Sequence, residues 1–461
     1  MSVAPPPVAP TVQERPVQLA AAEIAERLLT MNKLRDWGTK SAYSLADQAL
    51  TSLTGFSVNL LLARWMPAEV YGAFAVAFAG YLFVCGFYNV IVLEPMSVMG
   101  PSRHAGRLPA YFREQIIVHA GLVGILSTIV LVAGLMVWRI APHTPLVGAI
   151  AGSGLALPFL LFLWLVRRMC YVMHRPSAAI LGSAAYLSLV ISGLYLLRSL
   201  GKLSPFSAFV LTGAASFLAA VLVMRCLGLA ASRARTGAHI AWRGALQENW
   251  AYGRWLVGST VLYSISAQTQ MFLAASLLGL GAAGVLRAMQ LPALVMTQVV
   301  TAAGLLVLPA LSRDFAHGSI ERMRRKAMLV TAGLAGTAVC FAGVLMLVAG
   351  RVEHLLFGGK YAGFAWLIPV LALMPAADAA ASGCLMALRA SQKPQFDLIA
   401  NAVAAPVGLL SAVFFMHWWG LAGAAFSLVA GCLASALANF CSYRYFAARA
   451  RKDTETIRCA A

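Results

Sequence analysis

Arg287 stands in the apolar run GVLRAMQLPALVMTQVV, which begins at Gly284 and has no acid within four residues of the arginine. A guanidinium at the centre of a bilayer costs about 2.5–3.5 kcal/mol on insertion scales, so one that is kept there faces a cavity or a partner. Its planar fork grips phosphate oxygens two at a time. A second reading is a headgroup anchor, since Arg287 falls about one turn beyond the expected outer boundary and a long side chain can reach the interface from there. Arg64, in LLARW, closes the first apolar segment under the same two readings. If both point inward, they make the outer end of a central cleft positive.

Acids are scarcer. Asp378, in LMPAADAAASG, is the deepest, about 21 Å into its segment at 1.5 Å per residue. A carboxyl at that depth serves proton or ion coupling, or pairs with a buried base. Asp47 is a second candidate coupling acid, although its place at the inner end of the first segment, like that of Glu94 in the second, also suits an interfacial role. Polar side chains recur at helical spacing along Asp47, Thr51, Thr54 and Asn59, and again along Thr260, Ser264 and Gln268. Facing one another, the stripes would line a wet cavity, with Asn59 and Gln268 as candidate substrate-binding residues. Hydrogen bonding between helices is the competing use.

The elements that must position these groups are membrane helices. The 461 residues are 61% hydrophobic and only 11% charged, with a mean hydropathy of +0.79. Soluble chains carry roughly 25% charged residues. A span needs about 20 apolar residues, and twelve are expected, near 45–65, 70–93, 116–138, 146–166, 178–197, 206–224, 255–279, 283–309, 327–349, 364–387, 397–417 and 420–440. The fold class is therefore all-α and polytopic. With both termini in the cytoplasm, most of the 35 basic residues collect on the inner side, in RRMCYVMHR (167–175), RCLGLAASRAR (225–235) and ERMRRK (321–326). The net charge of +19 then needs no nucleic-acid partner.

The N-terminal 16 residues are proline-rich and do not have the layout of a cleavable signal. Residues 17–37 place Val17, Ala21, Ile24, Leu28 and Met31 on one face, as an amphipathic interfacial helix or a bland helical stub. The eight cysteines are scattered, with no CxxC pair or Cys/His cluster, so neither a metal nor a disulfide framework is expected. No Walker sequence is present, no cofactor is implied, and every outer loop is too short for a catalytic domain.

The chain also repeats itself. Gly72 opens the second span as Gly284 opens the eighth; Pro95 matches Pro309, Pro158 matches Pro375, and Pro176 matches Pro394, all at a nearly constant separation. This organises the chain as a tail (1–44), a six-helix bundle (45–224), a cytoplasmic linker (225–254), a second six-helix bundle (255–440) and a tail (441–461). Such halves are related by an axis along the membrane normal, with substrate between them. Prolines inside spans (Pro158, Pro292, Pro369, Pro375, Pro406) are hinges of a rocking motion or static kinks.

Three stretches carry a family resemblance: LLARWMPAEVYGAFAVAFAGYLF at 61–83, LLFGGKYAGFAWLIPVLAL from Leu355, and GLAGAAFSLVAG from Gly420. From about Leu45 to Phe446 the chain resembles the polysaccharide-transport (Wzx-type) branch of the MATE-like flippase superfamily. The resemblance implies a central cavity between two bundles in a bacterial inner membrane. It further implies export of a polyprenyl-pyrophosphate-linked oligosaccharide for exopolysaccharide, capsule or O-antigen (lipopolysaccharide) synthesis, in company with membrane lipid and other polysaccharide assembly proteins. A cation-coupled exporter of drugs or metabolites is the alternative on the same fold. A glycan polymerase or ligase would require clustered acid, base and phosphate-binding groups; RVEHLLFGGKY offers Glu353, His354 and Lys360 only within a family-like turn. The protein is therefore expected not to be an enzyme.

Overall fold

Proline and glycine punctuate a chain that is otherwise continuous apolar helix, and they decide where each span begins, bends and ends. The computed structural model describes residues 42–228, 242–316, 319–391 and 395–460, so the expected helix at 17–37 and the middle of the 225–254 linker lie outside the described residues. Among the described residues every element is helical.

The first half consists of α1 (42–65), α2 (Ala68–Tyr88), α3 (Glu94–Arg103), α4 (Leu108–Ile140), α5 (Pro145–Val172), α6 (Pro176–Ser199) and α7 (Pro205–Cys226). The second consists of α8 (Trp242–Leu278), α9 (Leu280–Ala316), α10 (Ile320–Phe357), α11 (Leu367–Leu371), α12 (Leu373–Ala390) and α13 (Gln395–Ala460). Besides α3, which continues from a π-turn, four helices start with proline at the first or second position, where its missing N–H costs nothing. Ser204 adds a capping box to α7 with Ser207.

Among the described residues ten helical stretches are long and apolar enough to cross a membrane. The last, Leu398–Tyr445, holds two expected spans, folded back at Gly420 with φ 54° and ψ −126°. A Cβ at neighbouring Gly423 would lie 1.9 Å from the Phe415 carbonyl oxygen, so only glycine lets the hairpin close. α1 is long enough to span, but its polar stripe keeps it below the apolarity of the others.

Three departures from the expected spans have local causes. α2 passes into a π-turn, Asn89–Leu93, before α3. Pro95 has no N–H for the Ile91 carbonyl, and the ladder widens there. The tenth span breaks at Ala372 between α11 and α12, where Pro375 leaves the carbonyl of Leu371 without its helical donor. The expected C-terminal tail begins as helix, because α13 runs on to Ala460.

α5 packs on α2, α4, α6 and α7, while α12 packs on α9, α10 and α13. α2 crosses between the two sets, lying against α8 and α9. At that crossing the repeat-matched glycines meet. A Cβ at Gly72 would lie 1.8 Å from the Leu280 carbonyl oxygen, and one at Gly284 would lie 2.1 Å from that of Ala68. Each glycine faces the carbonyl one turn before the other, a reciprocal contact with backbone against backbone.

Candidate transport site

Directly beneath the glycine crossing, α2, α8, α9 and α13 enclose a crevice of about 30 Å³, lined by Phe78, Gln268, Gln270, Arg287 and Gln290 among others. That volume admits about one water molecule. Arg287 Nη1 donates to Gln290 Oε1 at 3.4 Å, and its guanidinium carbon lies 5.6 Å from the Phe78 ring centroid. Its Nε is buried and has no protein partner. Three amides and one cation line this crevice, and no carboxylate does among the described residues. Gln270 donates to the Ser427 carbonyl at 3.4 Å while its own oxygen is left unpaired.

A guanidinium has five donors and no acceptor. Here the aromatic face and a single long hydrogen bond offset only part of its desolvation. Arg287 therefore keeps unused donors, and the Gln270 amide an unused acceptor.

Of the residues read from the sequence, Gln268 joins Arg287 in this crevice. Arg64 does not; it is exposed at the C-terminal end of α1 and donates from Nη1 to the Leu355 carbonyl at 3.4 Å. Asn59 is buried, donating to the Gly55 carbonyl at 2.9 Å and accepting from Tyr71 Oη at 3.3 Å. Asp47 is fully buried and accepts from Arg167 Nη2 at 2.6 Å, from Ser183 Oγ at 2.5 Å and from the Tyr171 hydroxyl.

The structure thus corrects the expectation of two stripes facing a common wet cavity. The α1 stripe is a packing seam against α2, α5 and α6, where its lone pairs and donors are already satisfied. Asp47 and Asn59 are held in that seam, and the carboxylate of Asp47 is matched by a cation. The α8 stripe instead adjoins α2: a Cβ at Gly86 would lie 3.2 Å from both Thr260 and Ser264.

Asp378 borders a second, larger cavity of about 650 Å³ within the second half, between α8, α9, α12 and α13. Thr260, Thr297, Thr301, Ser382 and Asn401 supply polar groups around it. Asp378 itself is exposed to this cavity and has no hydrogen-bond or ion-pair partner among the described residues. The expected pairing with a buried base is absent there.

Two sets of polar contacts tie the halves at opposite faces. At the face opposite the basic clusters Lys360 Nζ donates to the carbonyls of Ala63, at 2.8 Å, and Met66, while Tyr361 Oη donates to Ala63 at 3.1 Å. Burial pushes the Lys360 ammonium below its usual range. Glu353 accepts from the Tyr361 N–H at 2.7 Å and fixes that loop. At the basic face His104 Nε2 pairs with Glu248 at 3.0 Å, and Gln115 and Asn249 exchange two hydrogen bonds of 3.2 and 2.9 Å. The sequence reading passed over these latches. Lys360 looked like turn chemistry because its acceptors are backbone carbonyls, which leave no mark in the sequence.

We expect Lys360→Met to loosen the Lys360 latch while the protein still inserts. A cysteine placed at Ala63 should then react at least several-fold faster with a membrane-impermeant maleimide; an unchanged rate would remove the latch from the account.

Neither a family model nor a curated protein matches the sequence. Solved structures do match its fold. An inward-facing MATE-family multidrug resistance transporter of the MOP superfamily superposes with TM-score 0.71 at 14% identity, over 89% of this chain and 99% of that one. The lipid II flippase MurJ in an inward closed conformation gives 0.66 at 11%, over 87% of both chains. A Pyrococcus furiosus MOP-superfamily transporter, described as having a binding pocket of reversed polarity, gives 0.62 at 13%, over 88% and 94%. The chain has the MATE-like, all-α polytopic fold.

Proposed function

We propose that this protein moves a polyprenyl-pyrophosphate-linked oligosaccharide across the bacterial inner membrane, supplying exopolysaccharide, capsule or O-antigen synthesis. The observation that carries this reading is the unpaired Nε of Arg287, set among amides and no acid where the two halves cross. A pyrophosphate would take the guanidinium fork, and sugar hydroxyls the glutamine amides. The hydrocarbon tail stays in the bilayer. With basic loops facing the cytoplasm, both termini lie there.

In this reading the units 45–224 and 255–440 rock about the Gly72–Gly284 crossing. The reciprocal contact supports an axis there. The Lys360 latch must break for outward opening, and the His104–Glu248 and Gln115–Asn249 pairs for inward opening. Arg64, exposed and bonded to a carbonyl, serves the outer latch and not the substrate. Asn59 orders Tyr71 behind the crevice. MurJ, described as a lipid II flippase, shares this fold, and a lipid-linked cargo is compatible with it. Deleting the gene should strand lipid-linked repeat units on the cytoplasmic leaflet, scored by their inaccessibility to an impermeant reagent added outside. Normal outward delivery, in a strain without a redundant flippase, would refute the proposal.

A second reading, a cation-coupled exporter of drugs or metabolites, draws on Asp378 in the 650 Å³ cavity. We assign Asp378 to ion coupling, whichever the cargo, because an unpaired carboxylate at that depth is retained for charge movement. Asp378→Asn should abolish the dependence of transport on a proton or sodium gradient while equilibrium exchange of cargo continues. Asp47→Asn should not, since the Asp47 carboxylate is committed to Arg167. Drug sensitivity after deletion, with surface polysaccharide intact, would favour the exporter.

A further inference from the structure

The basic residues of ERMRRK orient the chain in the membrane, and nothing in the transport site uses them. α9 ends with Arg313 and Asp314, and α10 begins alongside with Arg322 and Lys326 one turn apart on one face. Together with Ala310 these side chains line a cleft of about 320 Å³ between the two helix ends at the basic face. Lys326 Nζ lies 2.7 Å from Asp314 Oδ2 and ties the helices together. Among the described residues the cleft lining carries three cations and one carboxylate.

What lies next to this cleft is lipid-facing. α10 belongs to the least buried of the candidate spans, with 17% of its most apolar window covered by protein. Within a turn of Lys326, Met328 is 50% exposed and Leu329 63% exposed. A charged cleft at the interface, with an apolar wall beginning immediately below it, matches a phosphodiester headgroup above acyl chains. A free anion would have no use for the wall.

We propose that this cleft binds the headgroup of an anionic phospholipid of the surrounding leaflet. The guanidinium groups of Arg313 and Arg322 take the phosphate oxygens, and the Lys326–Asp314 pair holds the cleft open between α9 and α10. Basic pockets between membrane helices at the cytoplasmic boundary select acidic over zwitterionic headgroups by charge. Because the site is at the far end of α9 from Arg287, it is separate from the transport crevice.

The test uses the full chain purified in detergent and titrated with phosphatidylglycerol, phosphatidylethanolamine or inorganic phosphate, with bound lipid counted by native mass spectrometry. Wild type should retain phosphatidylglycerol in preference to phosphatidylethanolamine. Arg313→Gln with Arg322→Gln, which leaves the Lys326–Asp314 pair intact, should weaken phosphatidylglycerol binding by about tenfold or more. Arg243→Gln, which removes a basic-face charge on α8, should leave it unchanged. Equal retention by the double variant would overturn the proposal, as would an equal loss in Arg243→Gln. Displacement of phosphatidylglycerol by millimolar inorganic phosphate would also overturn it, by showing a free-anion site.

Discussion

Arg287→Ala should leave the amount of inserted protein unchanged and lower glycan-lipid transport by roughly 30- to 900-fold, the equivalent of about 2–4 kcal/mol. The two halves of this expectation have separate physical causes. Arg287 has one long hydrogen bond, to Gln290, and a partnerless Nε, so removing it takes a poorly compensated charge out of a buried crevice. Truncating such a charge does not unfold a protein; it relieves desolvation. The loss therefore falls on cargo recognition alone. Arg287→Lys should recover part of the rate, because an ammonium keeps the charge but not the two-pronged geometry. Arg64→Ala should cost far less, since its guanidinium is exposed and its described contact is a backbone carbonyl. Transport assayed in the deletion strain, with surface expression measured in parallel, separates these outcomes. Wild-type export by Arg287→Ala would reduce the residue to a headgroup anchor.

Gly72→Val should be the most disruptive single change in the α2–α9 crossing. The added Cβ would sit 1.8 Å from the Leu280 carbonyl oxygen, far inside van der Waals contact, and both atoms belong to helix backbones that cannot rotate away. Ordinary overpacking costs about 1–3 kcal/mol; a clash with backbone lies at or beyond the top of that range. Gly284→Ala meets the same obstacle from the other side, at 2.1 Å from the Ala68 carbonyl oxygen. Gly336→Ala, in contrast, meets nothing within 4 Å and should be neutral or slightly stabilising. Thermal unfolding of the purified variants in detergent measures this directly. A Gly72→Val protein as stable as Gly336→Ala would mean that the halves do not close through this contact.

That crossing was half visible in the sequence. Gly72 and Gly284 stood out because they open matched spans, and Pro375 was among the prolines read as bending a span. Spans, turns and the all-α class follow from apolar length and from glycine and proline, which act locally. What the sequence left open was which way each polar face turns. Asp47 looked like a coupling acid because Arg167, Tyr171 and Ser183 lie more than a hundred residues away, on α5 and α6. The same blindness made Asn59 look like a cavity residue, when its partners are its own helix and Tyr71. Gln290 could have been found, because it sits three residues from Arg287 on one helix. Gln270 follows Gln268 by two residues, a spacing that sends side chains to different faces of a helix, and only the packing of α2, α9 and α13 around α8 brings both to the crevice.

The central claim is that Arg287 recognises a pyrophosphate while the lipid tail remains in the membrane. It is tested most directly with purified protein in sealed vesicles, by following how fast a lipid-linked oligosaccharide becomes accessible to an impermeant glycan-modifying reagent. The account predicts rapid exposure of the pyrophosphate-linked cargo by wild type, little exposure by Arg287→Gln, and slow movement of a neutral lipid bearing the same sugars. Equal rates for wild type and Arg287→Gln, or for the charged and neutral lipids, would contradict it.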